Sequence, residues 1–194
     1  SQSTGLLPNF LSVAGSSRQN DLDVTWLISI NPGGYTPHAL SSGSPNENRQ
    51  AFMTFGDKSW GSVKVGKDLG IFASDAILSD ITLLGVGGGS AGSAGNTSLG
   101  RIGFGYIYAD WKPQIAYTTP NFSGFQATVG ISQAFIATGG NAGTTYSSTL
   151  NASPAYEGKA SYSFNANGVD GKVWVSGLAQ KVGSFGATGN DDPV

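Results

Sequence analysis

Residues 87–92 (GGGSAG) contain two spacings that are associated with catalysis. The pattern G-x-G-x-x-G cradles a dinucleotide pyrophosphate at a strand-to-helix turn, and G-x-S-x-G presents a nucleophile, here Ser90. The segment is rich in Gly and Ser, no strand–helix–strand pattern surrounds it, and His38, the only histidine, precedes the serine. We therefore interpret both spacings as chance matches and expect neither an enzyme nor a bound cofactor.

The charged residues are few, and their balance excludes several classes of protein. They make up 11% of the 194 residues, against about 25% in an average soluble domain, and the formal net charge is −2. The near-neutral balance and the lack of basic blocks argue against nucleic-acid binding. With no cysteine and one histidine, the chain has no thiolate or multi-histidine metal site.

Alternation of apolar and polar residues is the dominant pattern, and it predicts strands with one apolar and one polar side. It is clearest in Leu22–Asn31, Phe125–Gln133 and Tyr156–Asn165. Weaker examples bring the expected number of strands to seven: Arg49–Gly56, Gly61–Gly66, Lys112–Thr119 and Lys172–Gln180. In the last of these, which is ambiguous, we take the apolar side to be Val173, Val175 and Ala179.

The connections between these strands alternate between short and long. The short ones are Gly56–Gly61, Pro120–Gly124 and Ala166–Gly171, and the long ones are Pro32–Asn48, Lys67–Trp111 and Ala134–Pro154. Short turns at one end and long loops at the other are typical of barrels that cross a membrane. We therefore predict an all-β, antiparallel, up-and-down transmembrane β-barrel. Alternation alone leaves open an extracellular β-sandwich of adhesin type, which would bury its apolar sides between two sheets.

Four segments of the chain resemble the general porins of Gram-negative bacteria. They are NRQAFMTFGDKSWGSVKVGKDLG from Asn48, FASDAILSDITLLG from Phe72, KPQIAYTTPNFSGFQATVG from Lys112 and PAYEGKASYSF from Pro154. Their order and spacing extend the resemblance over roughly residues 20 to 182. It implies a trimeric, 16-stranded outer-membrane barrel with a constriction loop folded into the lumen, here 67–111.

Seven strands correspond to about the third to the ninth strand of such a barrel. Residues 1–194 are therefore expected to form a single, incomplete porin-like barrel domain, part of a longer chain. The alternative is a closed eight-stranded barrel with Leu6–Gly15 as an additional strand, which Pro8 and the lack of alternation in that segment disfavour.

The resemblance also implies a constriction in which basic side chains of the early strands face acidic side chains of the internal loop. Charges on opposite walls orient dipolar solutes and set ion preference. The basic candidates are Lys64, Lys67 and Arg49, although Arg49 shares parity with Met53 and Phe55 and so fits the outer rim or the trimer face as well. The acidic candidates are Asp75 and Asp80, which fit equally the capping of a short helix at Ser74–Ser79.

Three further charged residues are expected to line the pore because they lie on polar sides of strands, namely Asp23, Glu157 and Lys159. The resemblance implies that Pro32–Asn48 reaches a neighbouring subunit, which makes Glu47 a candidate subunit contact. The expected function is passive diffusion of ions and small hydrophilic solutes, and the expected partners are sister subunits in a homotrimer, outer-membrane lipid and lipopolysaccharide. A substrate-specific porin and a small outer-membrane hydrolase are the remaining alternatives.

Overall fold

One antiparallel sheet contains all the strands that are described. The computed structural model describes residues 10–32, 46–80, 109–134 and 153–181. Its elements are β1 (Leu11–Gln19), β2 (Leu22–Pro32), β3 (Asn46–Glu47), β4 (Ala51–Asp57), β5 (Gly61–Leu69), α1 (Ser74–Leu78), β6 (Trp111–Thr118), β7 (Phe125–Ser132), β8 (Ala155–Ala166) and β9 (Val169–Ala179). Eight long strands follow the order β1-β2-β4-β5-β6-β7-β8-β9, and the short β3 pairs with β2. The prediction of an all-β, up-and-down antiparallel fold is confirmed.

Two of the hairpins close with two-residue turns in which the backbone has positive φ. Asn20 and Asp21 join β1 to β2 with φ of 50° and 61°, and Asn167 and Gly168 join β8 to β9 with φ of 53° and 78°. Positive φ at both central residues is characteristic of the type I′ turn, whose twist matches that of the paired strands. The turn predicted within residues 166–171 is therefore confirmed.

The expected strand count of seven is wrong, because β1 is an eighth long strand. It pairs with β2 from Leu11 opposite Ile30 to Gln19 opposite Leu22. Its alternation is weak because Gly15 follows Leu11 and Val13 on their side of the strand. The Trp26 ring occupies the space of the missing side chain, 2.6 Å from where a Cβ would be. The strand also begins later than Leu6–Gly15, and within the described residues no pairing joins β1 to β9, so an eight-stranded barrel is not closed.

The register gives the sheet two chemically distinct faces. One row across it contains Trp26, Met53, Val65, Ile115, Ile131 and Tyr156, and we call the face that carries it the apolar face. The opposite, polar face carries the row Thr25, Thr54, Lys64, Ala116, Gly130 and Glu157. In β9, Val173 lies opposite Tyr162 and Val175 opposite Ala160, which confirms the apolar side expected for that strand.

The large side chains of the apolar face are exposed rather than packed against a second layer. Ile28, Val129 and Val175 are all at least half exposed, and the buried hydrophobic residues of the described ranges are mostly alanine. A contiguous exposed apolar surface of this kind marks contact with a membrane or a partner. Within the described residues no second sheet covers this face, as one would in a β-sandwich. In the described ranges, no helix has the length and hydropathy needed to cross a bilayer.

The chain between β5 and β6 is described for residues 70–80 and 109–110, and this part lies on the polar face. The helix α1 is confirmed within the expected Ser74–Ser79, although Ala73, at φ 61°, precedes it without a side-chain cap. Ala73 and Ile77 pack with Ala109, and Leu69 and Phe72 lie against that small cluster. Glycine at position 130 makes room for the segment, since a Cβ there would lie 2.7 Å from Ile71 Cδ1. We call residues 70–80 the loop segment.

Candidate functional site

Asp75 fastens α1 to two neighbouring strands of the polar face. Lys159 Nζ of β8 lies 2.9 Å from Asp75 Oδ2, Lys172 Nζ of β9 donates to Asp75 Oδ1, and Lys159 Nζ also donates to Ser74 Oγ at 2.9 Å. Burial raises the pKa of the Asp75 carboxyl, but the hydrogen bonds from Lys172 and Lys159 outweigh this and lower it overall. Asp75 is therefore an ionised anchor, and its carboxylate does not cap the helix.

Beneath the loop segment, Glu157 and Lys112 form an ion pair that is shielded from water. Lys112 Nζ lies 2.5 Å from Glu157 Oε1, and the side chains are 4% and 0% exposed. Glu157 also accepts hydrogen bonds from Ser132 Oγ at 2.6 Å and from the backbone N–H of Phe72 at 2.8 Å. A buried carboxylate is tolerated only when it is paired and hydrogen-bonded, and Glu157 meets both conditions while holding the loop segment.

A third charged group lies on β5, next to the loop segment. Lys64 Nζ donates to Asp68 Oδ2, and Gln50 Nε2 donates to Asp68 Oδ1 at 2.9 Å. Lys64 Nζ also lies 4.7 Å from the centre of the Phe52 ring, within range of a cation–π interaction. About one third of the Lys64 side chain is exposed, so its charge is partly compensated yet reaches water.

At the end of the sheet that carries the short turns, Asp23 belongs to a cluster organised by Arg18. The guanidinium lies 2.6 Å from Asp23 Oδ2, 3.0 Å from Asp57 Oδ2 and 3.5 Å from Asp21 Oδ1. All four residues lie in or beside the turns that end β1 and β4. Asp23 is on the polar face as expected, but it is paired there and lies apart from the loop segment.

The structure places the predicted site residues in different environments. Lys64 and Lys159 line the polar face beside the loop segment, and Asp75 lies on that segment, where it contacts Lys159 and Lys172 of the wall. Glu157 is on the polar face, but its side chain is fully buried beside Lys112, and its place in the lining of the pore stays a prediction. Asp80 follows α1, and its N–H donates to Ile77 O at 3.1 Å.

Two basic candidates lie away from this group. Lys67 is opposite Ala51 and Pro113 on the apolar side, and its Nζ donates to Asn48 O at 2.7 Å. A role for Lys67 at the constriction stays a prediction, which this register does not favour. Arg49 is buried, with its guanidinium carbon 5.8 Å from the centre of the Trp111 ring. The backbone of Glu47 lies in β3 opposite Asn31. His38 and residues 87–92 lie outside the described residues.

Sequence reasoning missed the basic residues that matter most to the attachment of the loop segment. Lys112 and Lys172 were assigned to strands without a role, and Arg18 was not assigned to a strand. Lys112 had a readable signal, because it alternates with Ile115 and Tyr117 and so belongs to the polar side of β6. Lys172 shared its parity with Trp174 and Leu178, which obscured its face.

Comparison with known proteins gives one match, which covers most of the chain. A family model described as Gram-negative porin matches residues 10–189. A search of curated proteins finds no match. The matched range includes every residue of the attachments described above.

Proposed function

This chain is a member of the Gram-negative porin family, and from that premise we propose that it forms a water-filled channel for passive diffusion of ions and small polar solutes. It is a protein of the bacterial outer membrane, and its family is one of channels rather than of enzymes. The apolar face is suited to lipid, and the polar face to a water-filled lumen, as in other barrels that enclose a channel.

The observation that carries this proposal is the attachment of residues 70–80 to the polar face. Glu157 binds the backbone of Phe72, and Lys159 and Lys172 bind Asp75. A segment held over the lumen side of a barrel wall reduces the free cross-section of the channel. We propose that it forms the constriction as part of an infolded loop spanning 67–111.

Within this proposal, the charges beside the constriction are Lys64, Lys159 and Asp75, with Lys172 added by the geometry. The three lysines reach water, whereas the Asp75 side chain is only 8% exposed. They lie on the wall and on the loop segment, so they act on a solute that passes between the two. Asp80 follows α1 and is proposed as a further loop charge. Asp23 belongs to the lumen wall at the end with short turns.

The assembly proposed for this channel is a homotrimer in contact with outer-membrane lipid and lipopolysaccharide. It is supported by the resemblance to trimeric porins and by the exposed apolar face. Glu47 is proposed as a contact between subunits, from its place beside the long connection after β2. Glu47→Gln should lower the temperature at which the trimer dissociates on a gel, and an unchanged temperature would remove Glu47 from the interface.

Reconstitution of the natural protein in a planar bilayer tests the channel function. We expect stepwise insertion of open channels whose conductance rises nearly in proportion to salt concentration, as for a water-filled pore. Uncharged polyethylene glycols of increasing size, added on both sides, should lower the conductance only when the polymer is small enough to enter the pore. The largest polymer size that still lowers the conductance then reports the width of the constriction. A preparation of folded protein without conductance steps would contradict the proposal.

A further inference from the structure

A cavity on the polar face lies between the loop segment and the wall formed by β5, β6, β7 and β8. Its volume is about 420 Å³, within the range of roughly 300–1,000 Å³ that is common for small-molecule sites. The wall contributes Gln114, Thr118, Gln126 and Thr128, and the loop segment contributes Ile71 and Leu78. The cavity therefore has one side rich in amides and hydroxyls and one side that is apolar.

The charged residues that border this cavity are compensated by partners. Lys64 binds Asp68, and Lys159 binds Asp75 and Ser74. An incoming anion would have to compete with a carboxylate for either lysine, and an incoming cation would have to compete with a lysine for either carboxylate. The cavity consequently favours a ligand that brings hydrogen-bonding groups without net charge.

The amides and hydroxyls of the wall retain capacity for such a ligand. Gln114 Nε2 donates to Leu69 O at 2.8 Å and Gln126 Nε2 donates to Thr119 O at 3.2 Å, which orients both amides. Within the described residues, neither side-chain oxygen accepts a hydrogen bond. The hydroxyls of Thr118 and Thr128 share one hydrogen bond of 3.0 Å, which leaves one O–H to donate.

The apolar side of the cavity completes the match to one class of solute. Leu78, at the end of α1, is 66% exposed and presents its side chain to the same space. A sugar ring has hydroxyls at its edge and C–H groups on its faces, so it uses a polar wall and an apolar wall together. Simple inorganic ions have no C–H surface that could pack against the apolar wall.

We propose that this cavity is a subsite for uncharged polyhydroxylated solutes of monosaccharide size. The solute hydroxyls bond to the oxygens of Gln114 and Gln126 and to the Thr118–Thr128 pair, while a C–H face of the ring lies against Leu78. This inference rests on the proposed channel function and names the class of solute that binds transiently at the constriction. Solutes of this class pass the channel with saturable rather than strictly linear flux.

The test uses the natural protein reconstituted in a bilayer, with D-glucose as the probe. Glucose should reduce the single-channel current in a saturable way, beyond the linear fall caused by viscosity. In the double variant Gln126→Leu/Thr128→Val, the half-saturating glucose concentration should rise about tenfold, because two hydrogen bonds to the solute are lost. Gluconate and glucosamine, which carry a charge, should half-saturate the channel only at higher concentrations than glucose.

A matched control is available on the same face. Thr25 and Thr54 lie opposite each other across β2 and β4, outside this cavity, and repeat the threonine pairing of the site. Thr25→Val/Thr54→Val should leave the half-saturating glucose concentration within about twofold of that of the unmodified channel. This is a smaller change than the loss of one hydrogen bond to the solute would cause.

Two results would overturn the inference while leaving the channel function intact: a glucose effect that is strictly linear in viscosity, or equal glucose half-saturation in the two double variants. Folded protein that gives no conductance steps at all would overturn the proposed function, and this inference with it.

Discussion

The loop segment is held by two attachments that differ in how far water reaches them. The Lys112–Glu157 pair is 4% and 0% exposed, whereas Lys159 and Lys172 are 25% and 43% exposed and the Asp75 that they bind is 8% exposed. Loss of Glu157 leaves the desolvated charge of Lys112, whereas loss of Asp75 leaves two lysines that are still in contact with water. The buried pair therefore fixes the position of the segment, and the lysines that bind Asp75 supply charge to the surface that a solute passes.

The largest effect is expected from breaking the buried attachment with Glu157→Ala. The change removes the carboxylate that Lys112 and the Phe72 N–H contact, and loss of one partner of a buried pair costs about 3–5 kcal/mol. We expect a lower thermal unfolding temperature and a broader distribution of single-channel conductance, because the loop segment is no longer fixed. Circular dichroism on heating and planar-bilayer recordings measure the two effects.

The double variant Lys112→Met/Glu157→Leu is the matched control for that experiment. Replacing both charges by apolar groups of similar size is often neutral for stability, so the double variant should unfold at a higher temperature than Glu157→Ala. If the single variant unfolded at the temperature of the native protein, the buried pair would not have the role assigned to it.

A smaller effect on stability and a clear effect on ion preference are expected from Asp75→Asn. The loss of stability should be about 1 kcal/mol, because the lysines remain hydrated. Without the carboxylate, Lys159 and Lys172 add uncompensated positive charge to the lumen, so the reversal potential in a KCl gradient should shift toward anion selectivity. Asp170→Asn, which makes the same charge change at the β8–β9 turn, should shift it less, and an equal shift would contradict the local assignment.

The attachment through Asp75 should also respond to acid. The folded pKa of Asp75 lies below its ordinary value of 3.8, so the stabilisation from its ionised form is fully present above about pH 4. It is lost as pH falls from there through the folded pKa, where protonation releases the lysines. Anion selectivity measured at decreasing pH should therefore rise below pH 4 in the native channel, and this rise should be much smaller in Asp75→Asn. The same rise in both proteins would assign it to other carboxyls.

The smallest effect is expected at the cluster around Arg18. Its guanidinium is in contact with water and lies apart from the loop segment, so its ion pairs are screened by salt. Arg18→Gln should leave single-channel conductance unchanged and the unfolding temperature nearly so. A changed conductance, or a shift in reversal potential as large as that of Asp75→Asn, would mean that the cluster around Arg18 also controls the channel.

Period-two patterning made the faces of most strands predictable, because lipid and water impose opposite requirements on successive residues. It failed at β1, where Gly15 and Ser17 stand at positions that alternation would fill with apolar residues. The pair Asn20–Asp21, which forms the turn to β2, was the better indication of a strand before it. The partners of Asp75 could not be predicted, because Lys159 and Lys172 lie 84 and 97 positions away along the chain. Strand register brings them together, and the sequence has no local sign of it.

The burial of Glu157 could likewise not be predicted from the sequence. Its parity correctly predicted the polar face, but parity does not indicate which part of that face a loop covers. Lys67 was a candidate because it is basic, although its parity with Val63 and Val65 places it on the apolar side of β5.

Site-directed labelling tests most directly whether residues 70–80 narrow a water-filled channel. The chain has no cysteine, so single cysteines can be introduced without background. Leu78→Cys lies on the loop segment and Val175→Cys on the apolar face, and the two native side chains are similarly exposed, at 66% and 69%. A charged, water-soluble methanethiosulfonate applied during recording should reduce the current stepwise in Leu78→Cys and leave it unchanged in Val175→Cys. An unaltered current in fully labelled Leu78→Cys channels would contradict the placement of the constriction.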